Sequence, residues 1–192
     1  MNIRTSAVEA KDWLEYYRVK NYQLVPDDRY GCLVNAYGFV DLQGLSLTDI
    51  PVKFGEVKGF FNCAHNQLTN LDFCPDVLHG NLYIVNNKID SLRSCPRVIN
   101  GTFYADKNNL KNLQYGPDIV VGQYMCRNNQ LESLEYLPQK VGNIYLDNNP
   151  ALPAPLQSII DLEELRVASQ IHAEKLQLEQ VPHGRQKEVL KL

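Results

Sequence analysis

The sequence has no excess of positive charge. Its 192 residues include 19 Lys and Arg against 22 Asp and Glu, which gives a formal net charge of -3. Proteins that bind nucleic acid or anionic membrane surfaces usually concentrate basic side chains into a positive field. We therefore expect neither nucleic acid nor a membrane among the partners of this chain.

Long hydrophobic runs are also missing. No stretch approaches the roughly 18 apolar residues that mark a membrane-spanning helix. Residues 1–12 contain charged side chains and no apolar segment of the kind that forms the centre of a secretory signal. These two absences predict a cytoplasmic location.

The residues that usually carry catalysis or bind metals do not form motifs. The four histidines show no HExxH pattern, and the five cysteines include no CxxC pair. No glycine-rich phosphate loop or nucleophile elbow is present. We therefore expect a protein that is not an enzyme, with no cofactor and no metal site. The residues in question are His65, His79, His172, His183, Cys32, Cys63, Cys74, Cys95 and Cys126.

What the sequence does contain is an internal repeat. Glycine, proline and asparagine recur with a period of 21 residues, which shortens to 20 once, before Gly142. Such a period is the signature of a solenoid built from stacked units. The repeated residues are Gly38, Gly59, Gly80, Gly101, Gly122 and Gly142; Pro75, Pro96, Pro117 and Pro138; and Asn66, Asn87, Asn108, Asn129 and Asn149.

Each unit begins as a short strand. Apolar residues occupy the second and fourth positions after each glycine, as in a half-buried strand. Because so short a strand cannot bury its apolar side alone, similar units must stack with their strands in parallel. The pattern predicts an α/β solenoid. The predicted inward side chains are Phe61, Cys63, Leu82, Ile84, Phe103, Ala105, Tyr124, Cys126, Ile144 and Leu146.

The repeated asparagines and cysteines are interpreted as scaffold. One amide offers two donors and an acceptor, so it can satisfy buried backbone groups in a tight turn after each strand. We expect a structural ladder formed by Asn66, Asn87, Asn108, Asn129 and Asn149. The cysteines stand at apolar positions and are interpreted as small core residues. Whether Cys74 and Cys95 can form a disulfide stays open.

The repeat resembles a known class. Segments such as 82–89 and 145–149 resemble the Leu-x-Leu-x-x-Asn-x-Leu core of leucine-rich repeats, and the resemblance covers residues 38–152. The short period is similar to the bacterial class found in type III secreted effectors. The pattern Gly-x-Phe-x-Cys-x-x-Asn-x-Leu-x-x-Leu, followed by Pro, is similar to repeats of tailed-phage genomes. The resemblance implies a leucine-rich-repeat-like stack of short parallel strands. It also implies a phage-encoded protein that binds and modulates a host protein in the host cytoplasm.

The flanking segments are predicted to cap the solenoid, whose end units would otherwise expose their core. Residues 1–37 are assigned to an N-terminal cap. In this cap a capping-box pattern at Ser6 and Glu9 begins a helix that extends to about residue 19, and residues 21–35 form a strand pair. The apolar members of the helix are Val8, Trp13, Leu14 and Tyr17.

Residues 153–192 are assigned to a C-terminal capping helix, which begins near Pro155, and a tail. In the tail, Val189, Leu190 and Leu192 have no obvious core to join. A homo-oligomer formed through this segment therefore remains an alternative.

The function is predicted from the strand positions that point away from the core. At the first, third and fifth positions after each glycine, aromatic residues and a methionine form a stripe with charges along one edge. This composition is typical of a binding surface, although aromatic residues also favour strands without binding anything. We predict a non-catalytic protein-binding module. The predicted partner-binding residues are Phe60, Tyr83, Val85, Tyr104, Asp106, Met125, Arg127, Tyr145 and Asp147. A glycan-binding solenoid and a self-associating structural module are the alternatives.

Overall fold

The computed structural model describes residues 4–179. Over these residues the chain is a β-solenoid of about 5 turns with parallel strands and few helices. The tail residues Val189, Leu190 and Leu192 lie outside the described part. In chain order the elements are α1 (Ala7–Tyr16), β1 (Tyr22–Asp27), β2 (Gly31–Ala36), β3 (Val40–Asp41), β4 (Lys53–Val57), β5 (Phe61–Asn62), β6 (Val77–Leu78), β7 (Leu82–Tyr83), β8 (Val98–Ile99), β9 (Phe103–Tyr104), β10 (Ile119–Met125), β11 (Lys140–Tyr145), α2 (Ala154–Gln157) and α3 (Leu162–Glu179).

The strands form two rows that run along the solenoid. The front row contains β3, β5, β7, β9 and the ends of β10 and β11, and its strands are parallel, as where Phe61 pairs with Leu82 and Leu82 with Phe103. The back row contains β4, β6, β8 and the starts of β10 and β11, where Leu78 pairs with Ile99. Because β10 and β11 run from the back row into the front row, they join both rows into one sheet.

The back row from β6 onward consists of short paired strands that follow the repeated prolines. Strand β6 begins two residues after buried Pro75. Its two residues pair with neighbouring strands, and their side chains alternate. Leu78 is 1% exposed, whereas Val77 is 49% exposed. Two apolar residues in succession therefore supply one core side chain and one exposed side chain per turn, which is the pattern of a strand with one buried face.

The repeated glycines lie at the corner between the two rows, where successive turns touch. The amide of Gly59 donates a hydrogen bond of 2.9 Å to the carbonyl oxygen of Gly38. A Cβ atom on Gly80 would lie 2.6 Å from the carbonyl oxygen of Gly59, closer than real Cβ contacts allow. The period of the glycines thus follows from the close approach of backbone to backbone in the stack.

The core lies between the two rows. All of the predicted inward side chains are at most 1% exposed. Tyr124 is the one inward residue with a polar group, and its hydroxyl has no hydrogen-bond partner among residues 4–179. Burial raises the pKa of this hydroxyl well above its usual value.

The five cysteines, Cys32, Cys63, Cys74, Cys95 and Cys126, are free and buried. Burial raises the pKa of Cys74 to about 12, and it raises the pKa of Cys63 and Cys95 well above the usual value of a thiol. Because the thiolate is the reactive form, burial and a raised pKa both disfavour reaction of these thiols in the folded chain.

The N-terminal segment begins with the expected capping box. The hydroxyl oxygen of Ser6 accepts a hydrogen bond from the amide of Glu9 at 3.3 Å, and the Glu9 carboxylate accepts one from the amide of Ser6 at 2.9 Å. The helix ends at Tyr16, earlier than predicted. Of the predicted apolar members, Leu14 is buried and Trp13 and Tyr17 pack partly buried against the core, whereas Val8 is 69% exposed. Ala10, four residues before Leu14 on the same helix face, is also buried. Strands β1 and β2 form an antiparallel hairpin.

A helix begins near Pro155 as predicted, at Ala154, but it does not continue without a break. The short α2 ends at Gln157, and α3 begins at Leu162 after a break. In the break, the carbonyl oxygen of Ile160 accepts a hydrogen bond of 2.9 Å from the amide of Ile144 in β11, and the Asp161 carboxylate accepts one of 2.8 Å from the amide of Glu164. Pairing with the last strand therefore interrupts the helix. Within the described residues no helix combines the length and the apolar character needed to cross a membrane.

Candidate partner-binding face

A buried asparagine closes the tight turn after every front-row strand from β5 onward. The side-chain oxygen of Asn108 accepts a hydrogen bond from the amide of Ile89 at 3.1 Å. Its nitrogen donates to the carbonyl oxygens of Ile84, at 2.9 Å, and Ala105, at 3.2 Å. One amide thus links two successive turns and fixes the spacing of the strands. The same arrangement recurs at Asn66, Asn87, Asn129 and Asn149.

The first turn has no asparagine of its own. Leu45 stands at that position, and the backbone amides of Leu45 and Leu47 both donate to the side-chain oxygen of Asn66, each at 3.0 Å. The asparagine of the second turn therefore completes the first.

The ladder holds a row of partly exposed aromatic side chains on the front row, which we call the aromatic row: Phe39, Phe60, Tyr83 and Tyr104. Phe39 is exposed, and the other three are half-buried. Phe39 and Phe60 are stacked with ring centroids 5.0 Å apart. Phe60 meets Tyr83 edge to face at 6.1 Å, and Tyr83 is stacked on Tyr104 at 4.5 Å with planes only 6° apart. Because the rings stack along the solenoid axis, they present their edges to the outside.

A side-chain amide fixes the middle of this row at Tyr83. The nitrogen of Asn81 donates to the hydroxyl of Tyr83 at 2.7 Å, and its oxygen accepts from the amide of Thr102 at 2.8 Å. The hydroxyl of Tyr104 has no hydrogen-bond partner among residues 4–179. The row therefore combines a rigid apolar body with a free hydroxyl group at Tyr104.

Met125 does not provide the exposed anchor that its strand position predicts. Its side chain is only 8% exposed. It pairs in register with Tyr104 on one side and Tyr145 on the other. The larger rings of these neighbours cover a flexible side chain that lies between them, so the aromatic row ends at Tyr104.

The predicted charged edge is also largely closed. The Arg127 guanidinium donates to the Asp106 carboxylate at 3.2 and 3.3 Å, and the backbone amide of Arg127 donates to it at 2.7 Å. Arg127 also lies over the ring of Tyr145, 5.6 Å from its centroid. Asp106 and Arg127 therefore hold each other. Among residues 4–179, the carboxylate of Asp147 has no ion pair or hydrogen bond.

The structure extends the predicted site in one direction. Phe39 is 61% exposed and stacks on Phe60, although it is absent from the predicted set. The signal was in the sequence, since Phe39 follows Gly38 as Phe60 follows Gly59. Val85 is half-buried at the rim.

Nothing in the described part of the chain groups three or more His, Cys, Asp or Glu side chains in a way that could hold a metal ion. Comparison with protein-family models, with curated proteins and with solved structures found no match for this chain.

Proposed function

We propose that this chain is a non-catalytic binding protein that holds a protein partner against the aromatic row. The observation that carries the proposal is the continuity of four surface rings across four successive turns, each in contact with the next. Phe39 is exposed, and the other three rings are half-buried. Contiguous exposed apolar surface usually marks an interaction site, whereas isolated exposed residues need no explanation. Rigid, pre-stacked aromatic side chains also lose little conformational entropy on binding.

The stacking favours a protein over a glycan as the partner. A sugar ring binds an aromatic side chain face to face, but Tyr83 and Tyr104 each have one face stacked on the other, and Phe60 also contacts the Tyr83 ring. The accessible ring edges and the Tyr104 hydroxyl instead suit the apolar and polar groups of a protein surface.

The class and origin belong to the same proposal. Residues 38–152 are proposed to be leucine-rich repeats, with the helical segments at both ends acting as caps. Burial of Ala10 and Leu14 in α1, and of Leu162 and Leu165 in α3, supports the capping role. The similarity to tailed-phage repeats supports a phage-encoded protein that acts on a host protein in the host cytoplasm.

The test is affinity capture with a matched control. We expect the Tyr83→Ala/Tyr104→Ala variant to lose the partner, because two central aromatic side chains together contribute roughly a hundredfold or more to affinity. The control is Val77→Ala/Val98→Ala, which removes exposed side chains from the back row of the same turns. Proteins from a host lysate are quantified by mass spectrometry. Equal capture by wild type and the tyrosine variant would refute the proposal.

Self-association through α3 is a second candidate, because Val167 is 59% and Ile171 48% exposed, one helical turn apart. Light scattering decides between the candidates. We expect a Val167→Ser/Ile171→Ser variant to have a lower mass than wild type if α3 joins two copies, and an unchanged mass excludes this helix face from assembly.

A further inference from the structure

The front row of strands ends in an open edge at β3. The amides of Val40 and Leu42 donate to the carbonyl oxygens of Phe60, at 2.9 Å, and Asn62, at 2.7 Å. In a parallel ladder, alternate residues direct their N–H and C=O groups to opposite sides. Phe39 and Asp41 alternate with Val40 and Leu42 along the chain at β3, so their backbone groups point to the opposite side, away from β5.

No strand of residues 4–179 pairs with that side of β3. The open groups are the carbonyl oxygens of Phe39 and Asp41 and the amide of Asp41. The next alternate residue is Gln43, and its amide is not open, because it donates a hydrogen bond of 3.2 Å to the Asp41 carboxylate. The edge is short, with two acceptors and one donor in the spacing of a strand.

A cavity of about 470 Å³ lies beside this edge. Its walls are the α1–β1 connection, residues 17–21, and the segment that contains Gly38, Phe39 and Asp41. The exposed ring of Phe39 forms part of its apolar wall. The unpaired backbone groups therefore face a space that can hold a segment of polypeptide.

The charge in this cavity is positive. Arg18 and Lys20 both line it and are exposed, and neither has an ion pair among the described residues. The only carboxylate in the lining is that of Asp41, which has one oxygen turned back to Gln43. The excess of positive charge favours an acidic occupant.

We propose that this edge binds an extended acidic peptide segment of a protein by strand addition to β3, with the peptide's acidic side chains near Arg18 and Lys20. Backbone hydrogen bonds to an open sheet edge are a recognised mode of peptide binding, in which pockets for alternate side chains give specificity. The edge and the aromatic row meet at Phe39. Strand addition does not use Tyr83 or Tyr104, so variants of these two tyrosines distinguish this site from the proposed function.

The test uses the full chain and a defined probe, a fluorescein-labelled octapeptide of alternating glutamate and valine. Fluorescence polarisation measures its binding. We expect a version with N-methyl groups on alternate amides to bind at least about tenfold weaker, because it cannot donate to the open carbonyl oxygens. We expect a similar loss when lysine replaces glutamate in the peptide. Equal affinity of the methylated and unmethylated peptides, or no binding up to about 1 mM, overturns the proposal.

Variants of the chain provide a second, independent arm. Asp41→Pro removes the outward N–H but leaves the pairing of Val40 and Leu42 with β5, and Asp41→Ala is its matched control because both lose the bond to Gln43. We expect only Asp41→Pro to reduce binding by tenfold or more. If Asp41→Pro fails to fold, Arg18→Asn/Lys20→Gln takes its place: it removes both charges and puts asparagine at a left-handed position, φ 57°. Unchanged affinity in both variants contradicts the proposal.

The Tyr83→Ala/Tyr104→Ala variant separates this site from the aromatic row. We expect it to bind the probe with wild-type affinity. A loss of probe binding in that variant places the peptide on the aromatic row and overturns strand addition at β3.

Discussion

The asparagine ladder makes a quantitative prediction, because adjacent amides share their acceptors. The carbonyl oxygen of Ile84 accepts from Asn87 at 3.1 Å and from Asn108 at 2.9 Å. If either asparagine is replaced by alanine, this buried oxygen keeps one donor. If both are replaced, it keeps none.

The single and double variants therefore leave different groups without hydrogen bonds. Asn108→Ala leaves the amide of Ile89 without its partner, and Asn87→Ala does the same to the amide of Leu68. Each unpaired amide costs about 1–3 kcal/mol, since both residues are buried. The double variant also leaves the carbonyl oxygen of Ile84 without either of its two side-chain donors. We expect its loss of unfolding free energy to exceed the sum of the two single losses by about 1–2 kcal/mol.

Urea unfolding, followed by circular dichroism, measures these free energies. Asn109→Ala is the matched control: its exposed side chain makes a single long bond, of 3.5 Å, to the carbonyl oxygen of Lys88. We expect it to change the free energy of unfolding by less than about 0.5 kcal/mol. Strict additivity of Asn87→Ala and Asn108→Ala, or equal losses for Asn108→Ala and Asn109→Ala, would refute the shared-acceptor reasoning.

Three further predictions concern the same scaffold. Lys107 has a left-handed backbone, φ 57°, so Lys107→Asn is expected to stabilise the chain by about 0.5–1 kcal/mol in urea unfolding. Gly80→Ala is expected to cost about 2–3 kcal/mol, because its Cβ would lie 2.6 Å from the carbonyl oxygen of Gly59. Gly38→Ala, whose Cβ meets nothing within 4 Å, is its control and is expected to be near neutral. Burial raises the pKa of Cys74 to about 12, so above about pH 8.5 the unfolded chain loses this thiol proton while the folded chain keeps it. The contribution of Cys74 to the free energy of unfolding is therefore constant below about pH 8.5 and falls by about 1.4 kcal/mol per pH unit above it. Replacing Cys74 with Ala is expected to reduce that slope between pH 8 and 10.

The inward side of the solenoid could be predicted because its periodicity comes from contacts inside each turn. The side chains of a short front strand alternate between inside and outside regardless of the neighbouring turns. The inward direction of Phe61 and Cys63, or of Phe103 and Ala105, can therefore be predicted from the sequence. The back row was missed for the opposite reason. Val77 and Leu78 form a strand only because they pair with the adjacent turns, and two consecutive apolar residues after a proline do not indicate which of them is buried.

The outward side was harder to predict because exposure there depends on the neighbouring turns. Tyr104 and Met125 stand at equivalent positions, yet Tyr104 remains accessible while Met125 is covered by the larger rings that flank it. Asp106 and Arg127 stand one turn apart, and their pairing follows from strand spacing that places opposite charges side by side. On both halves of the face, side chains at similar positions in successive turns contact one another, but the exposure that results differs. Where aromatic residues follow one another, from Phe39 to Tyr104, they form a continuous row that stays partly exposed. Where a methionine or a charge pair interrupts the sequence, the side chains satisfy one another. The accessible part of the face is therefore shifted toward the N-terminal end, where the open edge of β3 continues it.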